Sequence, residues 1–74
     1  MKNGVILFYT TSSAIRAEKI LTGKGYPIKL IPTPREFSSD CGYALRFNWD
    51  QYDQVKETLE EAAVEVDAIH QMQS

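Results

Sequence analysis

One stretch limits where everything else in this chain can go. Gly4-Val-Ile-Leu-Phe-Tyr9 is an unbroken run of apolar, β-branched and aromatic residues. It is too short for a buried helix and its composition favours extended backbone, so it reads as a strand with apolar side chains on both faces, near the middle of a sheet. The chain has 74 residues, which makes it one domain over 1–74. A domain of this size buries only about 60% of the surface its unfolded chain exposes. A sheet whose central strand is apolar on both sides therefore needs cover on both sides, from its own helices or from a partner.

The segments around that strand alternate in period. Thr10, Thr11, Ser12 and Ser13 follow it and are helix N-cap candidates. Ala14, Ala17 and Leu21, with Ile20 beside them, then form one apolar helical stripe. Lys24 and Gly25 close that helix, and Pro27 prevents its continuation. Ile28–Ile31 is a short second strand, and Tyr43–Phe47 a third, with Tyr43, Leu45 and Phe47 on one face and Ala44 and Arg46 on the other. Asn48 or Asp50 can cap a second helix, whose stripe is Tyr52, Val55, Leu59 and Ala62; Glu60 and Glu61 near its end oppose the helix dipole. Val64 to Ile69 alternates and reads as a last strand, with Gln71 to Ser74 frayed. The order βαββαβ with right-handed crossovers predicts an α+β, ferredoxin-like split βαβ domain: a four-stranded antiparallel sheet of order 4-1-3-2 with both helices on one face.

Between the second and third strands runs the longest non-periodic segment, Ile31-Pro-Thr-Pro-Arg-Glu-Phe-Ser-Ser-Asp-Cys-Gly-Tyr43, which holds the only cysteine, Cys41. Hairpins usually need two to five connecting residues, and a loop of roughly ten in so small a domain is more often functional than idle. In the expected topology the first two strands are parallel. The loop then leaves the sheet at the end where Thr10 to Ser13 begin the first helix. A helix N-terminus favours anions. It and a nearby arginine such as Arg35 lower a thiol's pKa from its usual ~8.5, while Glu36 and Asp40 oppose this. Gly42 leaves the sulfur open to approach, Ser39 and the Thr10–Ser13 hydroxyls add donors, and Pro32 and Pro34 stiffen the loop. The opposing reading makes Cys41 a buried filler, because free cysteine is among the most buried residue types. His70 is placed on the surface at the opposite end of the sheet, too far away to act as the thiol's base.

Several classes are disfavoured. A single cysteine allows no intrachain disulfide and no Cys-rich zinc site. There is no Cys-His-Asn set, paired-carboxylate pattern or glycine-rich phosphate loop, so neither a metal nor an organic cofactor is expected. The formal net charge is −2, which disfavours broad binding to phosphate backbones. No run approaches the ~20 apolar residues of a membrane span. The opening segment is too short and strand-like for an export signal, so the expected compartment is the cytoplasm.

The combination of Ala17-Glu18-Lys19, Pro32-Thr-Pro-Arg35, Ser38-Ser39 and Cys41-Gly42 followed by Leu45-Arg46-Phe47 resembles a family of small bacterial proteins, the selenium/sulfur carrier protein-like domains. The likeness covers almost the whole chain. It implies a carrier or accessory protein rather than a stand-alone enzyme. Cys41 would accept sulfur or selenium as a persulfide or selenopersulfide, and Pro32, Pro34, Arg35 and Gly42 would shape its loop. A donor of cysteine desulfurase type and an acceptor would be the partners. Related carriers place Cys-Pro at a helix start, whereas this chain has Cys-Gly ahead of a strand.

Two other readings remain. RNA-recognition motifs share the strand order and carry aromatics on their first and third strands, where Phe8, Tyr43 and Phe47 stand here. Alternatively the domain is a non-catalytic interaction or regulatory module, covering its open sheet face with a partner or with a second copy as a homodimer.

Overall fold

A computed structural model describes residues 2–37 and 42–72. Its elements are β1 (Asn3–Leu7), α1 (Thr11–Gly23), β2 (Ile28–Pro32), β3 (Tyr43–Asn48), a 3-10 turn (Trp49–Gln51), α2 (Tyr52–Glu61) and β4 (Ala68–Met72). The four strands form one open sheet in which every neighbouring pair is antiparallel. The hydrogen-bonded order is β2-β3-β1-β4; read from the β4 edge, the neighbours run 4-1-3-2, with β1 and β3 in the middle.

Both helices lie on one face. Ile6 and Phe8 from the first strand segment and Leu45 and Phe47 from β3 share a buried cluster with Ala14, Ala17 and Leu21 of α1 and Val55 and Leu59 of α2. The alternation of a strand sends Val5, Leu7 and Ala44 to the other face, where they form a second, smaller buried cluster. Gly4 belongs to the helix face. A Cβ there would come within 2.4 Å of the Phe47 ring and 2.7 Å of Trp49, so these rings occupy the space a side chain would need.

The helix ends follow from local chemistry. Thr10 caps α1, its Oγ1 accepting the Ser13 amide at 3.2 Å, a contact worth about 1 kcal/mol. At the far end the Tyr26 amide reaches the Leu21 carbonyl and the Gly25 amide the Thr22 carbonyl, with Gly25 at φ 88°. This is the Schellman arrangement, which favours glycine in the left-handed position. α2 closes in the same way, Val64 to Leu59 and Ala63 to Glu60, but with an alanine at φ 56°. Asn48 caps the 3-10 turn that leads into α2 by accepting the Asp50 amide at 3.1 Å. α2 has no basic residue in its last turn. Arg16 of α1 supplies the missing positive charge, donating to the Ala62 carbonyl at 3.0 Å and countering the negative end of the helix dipole, to which Glu60 and Glu61 add.

The last strand differs from the sequence expectation. Val64 and Val66 do not belong to it; Val64 is the buried residue that docks the α2 cap on the core, with Val66 beside it. β4 begins at Ala68, where the Asp67 amide bonds the Leu7 carbonyl at 2.8 Å. It runs through Gln71, which pairs with Gly4 rather than fraying. The alternation of Val64 and Val66 marks a post-helix segment laid on the core, which has the same apolar period as a strand.

Candidate functional site

The antiparallel pairings make β1 and β2 parallel, so their C-terminal ends share one end of the sheet, across from Ala44 and Tyr43 at the start of β3. Thr10 to Ser13 and the β2–β3 loop both emerge there. At this end the Ser13 amide is taken by Thr10, and the Thr10 hydroxyl also donates to Ser13 Oγ at 3.1 Å. Thr11 and Ser12 are exposed in the first turn of α1.

The loop leaves the sheet in an ordered way. The Thr33 amide donates to the Gly42 carbonyl at 3.0 Å, extending the β2–β3 ladder by one pair. Hydrogen-bonded and non-hydrogen-bonded pairs alternate, so Pro32, paired with Tyr43, occupies a non-bonded position on an edge strand. Its missing N–H removes no ladder bond there and blocks further pairing at the edge. Pro34 then starts a turn closed by the Phe37 amide on the Pro34 carbonyl at 3.0 Å, with Arg35 and Glu36 exposed at its centre. At Gly42 a Cβ would meet nothing within 4 Å, so the space around it is open. Cys41 and Ser39, named from sequence as acceptor and donor, lie outside the described residues, as do Ser38 and Asp40.

The turn sends Phe37 to the face opposite the helices. There it joins the Val5, Leu7 and Ala44 cluster and stacks on His70, with ring centroids 4.6 Å apart and planes 10° apart. His70 is therefore not at the far end of the sheet. It sits in the middle of β4 opposite Val5, and the loop itself reaches back to it. Local sequence patterns carry no sign of this contact, since it joins residues remote in the chain, one in the loop and one paired with Val5 in the β1–β4 register. Sequence reading also missed that, among the described residues, three large hydrophobics are left exposed, Tyr9 (52%), Ile15 (41%) and Tyr43 (45%). Tyr9 follows β1 and Tyr43 opens β3 at the loop end of the sheet, and Ile15 lies in the first turns of α1. Single exposed apolar residues are ordinary, but here all three belong to segments at the end of the sheet where the loop emerges.

Phe8 and Phe47, two of the aromatics that suggested RNA recognition, are buried beneath the helices. The open-face positions of β1 and β3 hold Val5, Leu7, Ala44 and Arg46 instead, which offer no ring for base stacking. Among the described residues there is no group of three His, Cys, Asp or Glu side chains able to hold a metal, and no helix long and apolar enough to cross a membrane.

Comparison with known families adds one result. The profile of the family described as "Putative Se/S carrier protein-like" matches residues 3–71. The chain belongs to that family. No curated protein and no solved structure shows significant similarity to it. The match to this carrier-like family runs from β1 into β4 and so takes in the loop, both helices and all four strands.

Proposed function

We propose that this Se/S carrier-like protein carries sulfur or selenium on Cys41, in the loop between β2 and β3. The observation behind this reading is the parallel relation of β1 and β2, which brings the start of α1 and both ends of the loop to one end of the sheet. Family membership supports the class of function, and the exposed Tyr9, Ile15 and Tyr43 at that end suit a protein that must dock a donor and then an acceptor. The transfer balances without an added oxidant. The Cys41 thiolate attacks the outer sulfur of a donor persulfide, the donor's S–S bond breaks, and the donor leaves as a thiolate. Cys41 keeps the new S–S bond. No net oxidation occurs, and a lone cysteine suits the task because a neighbouring thiol would resolve the persulfide to a disulfide and release sulfide. A sulfur-donor protein of cysteine desulfurase type would be the partner, with the selenium reaction following the same bookkeeping.

The test is loading by a persulfide-charged cysteine desulfurase, followed by intact mass. The native chain should gain one sulfur atom that a reductant removes, and Cys41→Ser should gain none while keeping its thermal unfolding midpoint. Alkylation of Cys41 should show a midpoint below the ~8.5 of a free thiol. A chain that takes up no sulfur and alkylates like free cysteine would leave the second reading, an interaction module whose contact surface is the Tyr9, Ile15 and Tyr43 end of the sheet.

A further inference from the structure

Register sorts the charged residues of the sheet onto one side. On the open face the pairings align Lys29 with Arg46, Arg46 with Val5 and Val5 with His70 in a single row across all four strands. Lys29, Arg46 and His70 are exposed. The next row away from the loop holds Asn48, Asn3 and Met72, and the row toward the loop Ile31, Ala44, Leu7 and Ala68. No carboxylate stands at any strand position of this face, although the chain as a whole has net charge −2. The basic row also opens into a hollow of about 370 Å³, whose walls include Lys29, Arg46, Asn3 and Asn48. The Asn48 oxygen is engaged by the Asp50 amide, so the end of that carboxamide left for a ligand is its NH2, a donor. Asp50 is the nearest acid by sequence and is exposed beyond the strand.

We infer that this face docks an acidic segment of a partner protein, whose carboxylates meet Lys29, Arg46 and the carboxamides of Asn3 and Asn48. Three arguments select that occupant. Neighbouring strands lie about 4.8 Å apart, so the contacts from Lys29 on β2 across β3 to Asn3 on β1 span roughly 10 Å, longer than a single small oxyanion can use. A nucleic acid would need exposed rings for its bases, and the ring that reaches this face, Phe37, is already stacked on His70. A second copy meeting this face across a two-fold axis would set like charges against each other. The site does not involve the thiol, so its fate is separate from that of the carrier reading.

The experiment uses the full chain and a fluorescent oligoglutamate peptide, followed by anisotropy at low ionic strength. Saturable binding that weakens steeply with salt is expected, against the repulsion that the overall negative charge would give. Lys29→Gln with Arg46→Gln should weaken it roughly tenfold, the size of two solvent-facing charge contacts. Lys19→Gln with Lys24→Gln, which removes the same charge from exposed positions on α1 and its C-cap, should leave binding within twofold, as should Cys41→Ser. The proposal is overturned if the peptide does not bind, if the two double variants lose equally, or if a single-stranded oligonucleotide binds more tightly than the peptide. It is overturned as well if inorganic phosphate at matched charge displaces the peptide completely, which would make the hollow a small-anion site.

Discussion

Row for row, the two faces of this sheet differ in what they ask of the chain. On the helix side the register aligns Leu30, Leu45, Ile6 and Ile69, then Ile28, Phe47, Gly4 and Gln71. On the other side an aliphatic row, Ile31, Ala44, Leu7 and Ala68, gives way to the basic row and then to carboxamides. The first face is closed by two helices whose stripes interlock with it. On the second, among the described residues, Phe37 of the loop packs with strand neighbours against Val5, Leu7 and Ala44. The same strands thus supply a core on one side and a surface on the other. The charged strand side chains, Lys29 and Arg46, lie on the side that helices leave open.

The largest expected effect tests whether the helix face is the true core. Leu45→Ala should destabilise the fold by about 2–5 kcal/mol, since Leu45 is fully buried between the sheet and the helices and the cavity it leaves cannot readily collapse. Leu7→Ala on the opposite face should fall near the bottom of that range, because its cover is a loop residue and strand neighbours that can close over the gap. Urea unfolding of the two variants decides between these outcomes. Equal losses would mean that the open face is as much a core as the other, and the contrast drawn above would fail.

A smaller effect should follow from Phe37→Ala. It removes the stack on His70, an aromatic pair worth about 0.5–1.5 kcal/mol beyond its buried area. The expected signature is local. The His70 ring protons should lose their ring-current shift and loop amides should exchange faster, while amides of α1 and α2 keep their protection. Lost protection in the helices would show that the two faces are mechanically one unit.

How much of this was legible in the chain depends on the range of the interaction. Helices were readable because Ala14, Ala17 and Leu21, and Val55 and Leu59, repeat at helical spacing and all are buried. Thr10 and Gly25 announced their caps by residue type. The βαββαβ order and the two faces of β3 followed from period alone. β4 was misplaced because Val64 and Val66 alternate for a different physical reason, packing after a helix cap that carries no glycine to mark it. The Phe37–His70 stack and the basic row depend on cross-strand register, which local patterns do not encode. At the candidate site, element order alone put Thr10 to Ser13 and the two ends of the β2–β3 loop at one end of the sheet. It gave no sign that the described part of the loop, Pro34 to Phe37, turns to the face away from α1.

The smallest effect concerns the two helix caps that border the covered face. Gly25 and Ala63 hold the same left-handed position in equivalent Schellman arrangements, at φ 88° and 56°. An L side chain there crowds the following carbonyl by about 1–2 kcal/mol, and glycine returns part of that gain through its greater freedom when unfolded. Ala63→Gly should therefore stabilise the protein by about 0.5–1 kcal/mol, raising its thermal midpoint by a few degrees for a domain of this size. Ala63 is exposed, so no packing is lost. The gain should be confined to the helix side, with the His70 ring shift and oligoglutamate binding unchanged. A loss of stability instead would mean that the anchoring of Val64 on the core, which a freer backbone weakens, contributes more at this cap than backbone strain does. The boundary of the covered face would then be held by side-chain packing rather than by cap geometry.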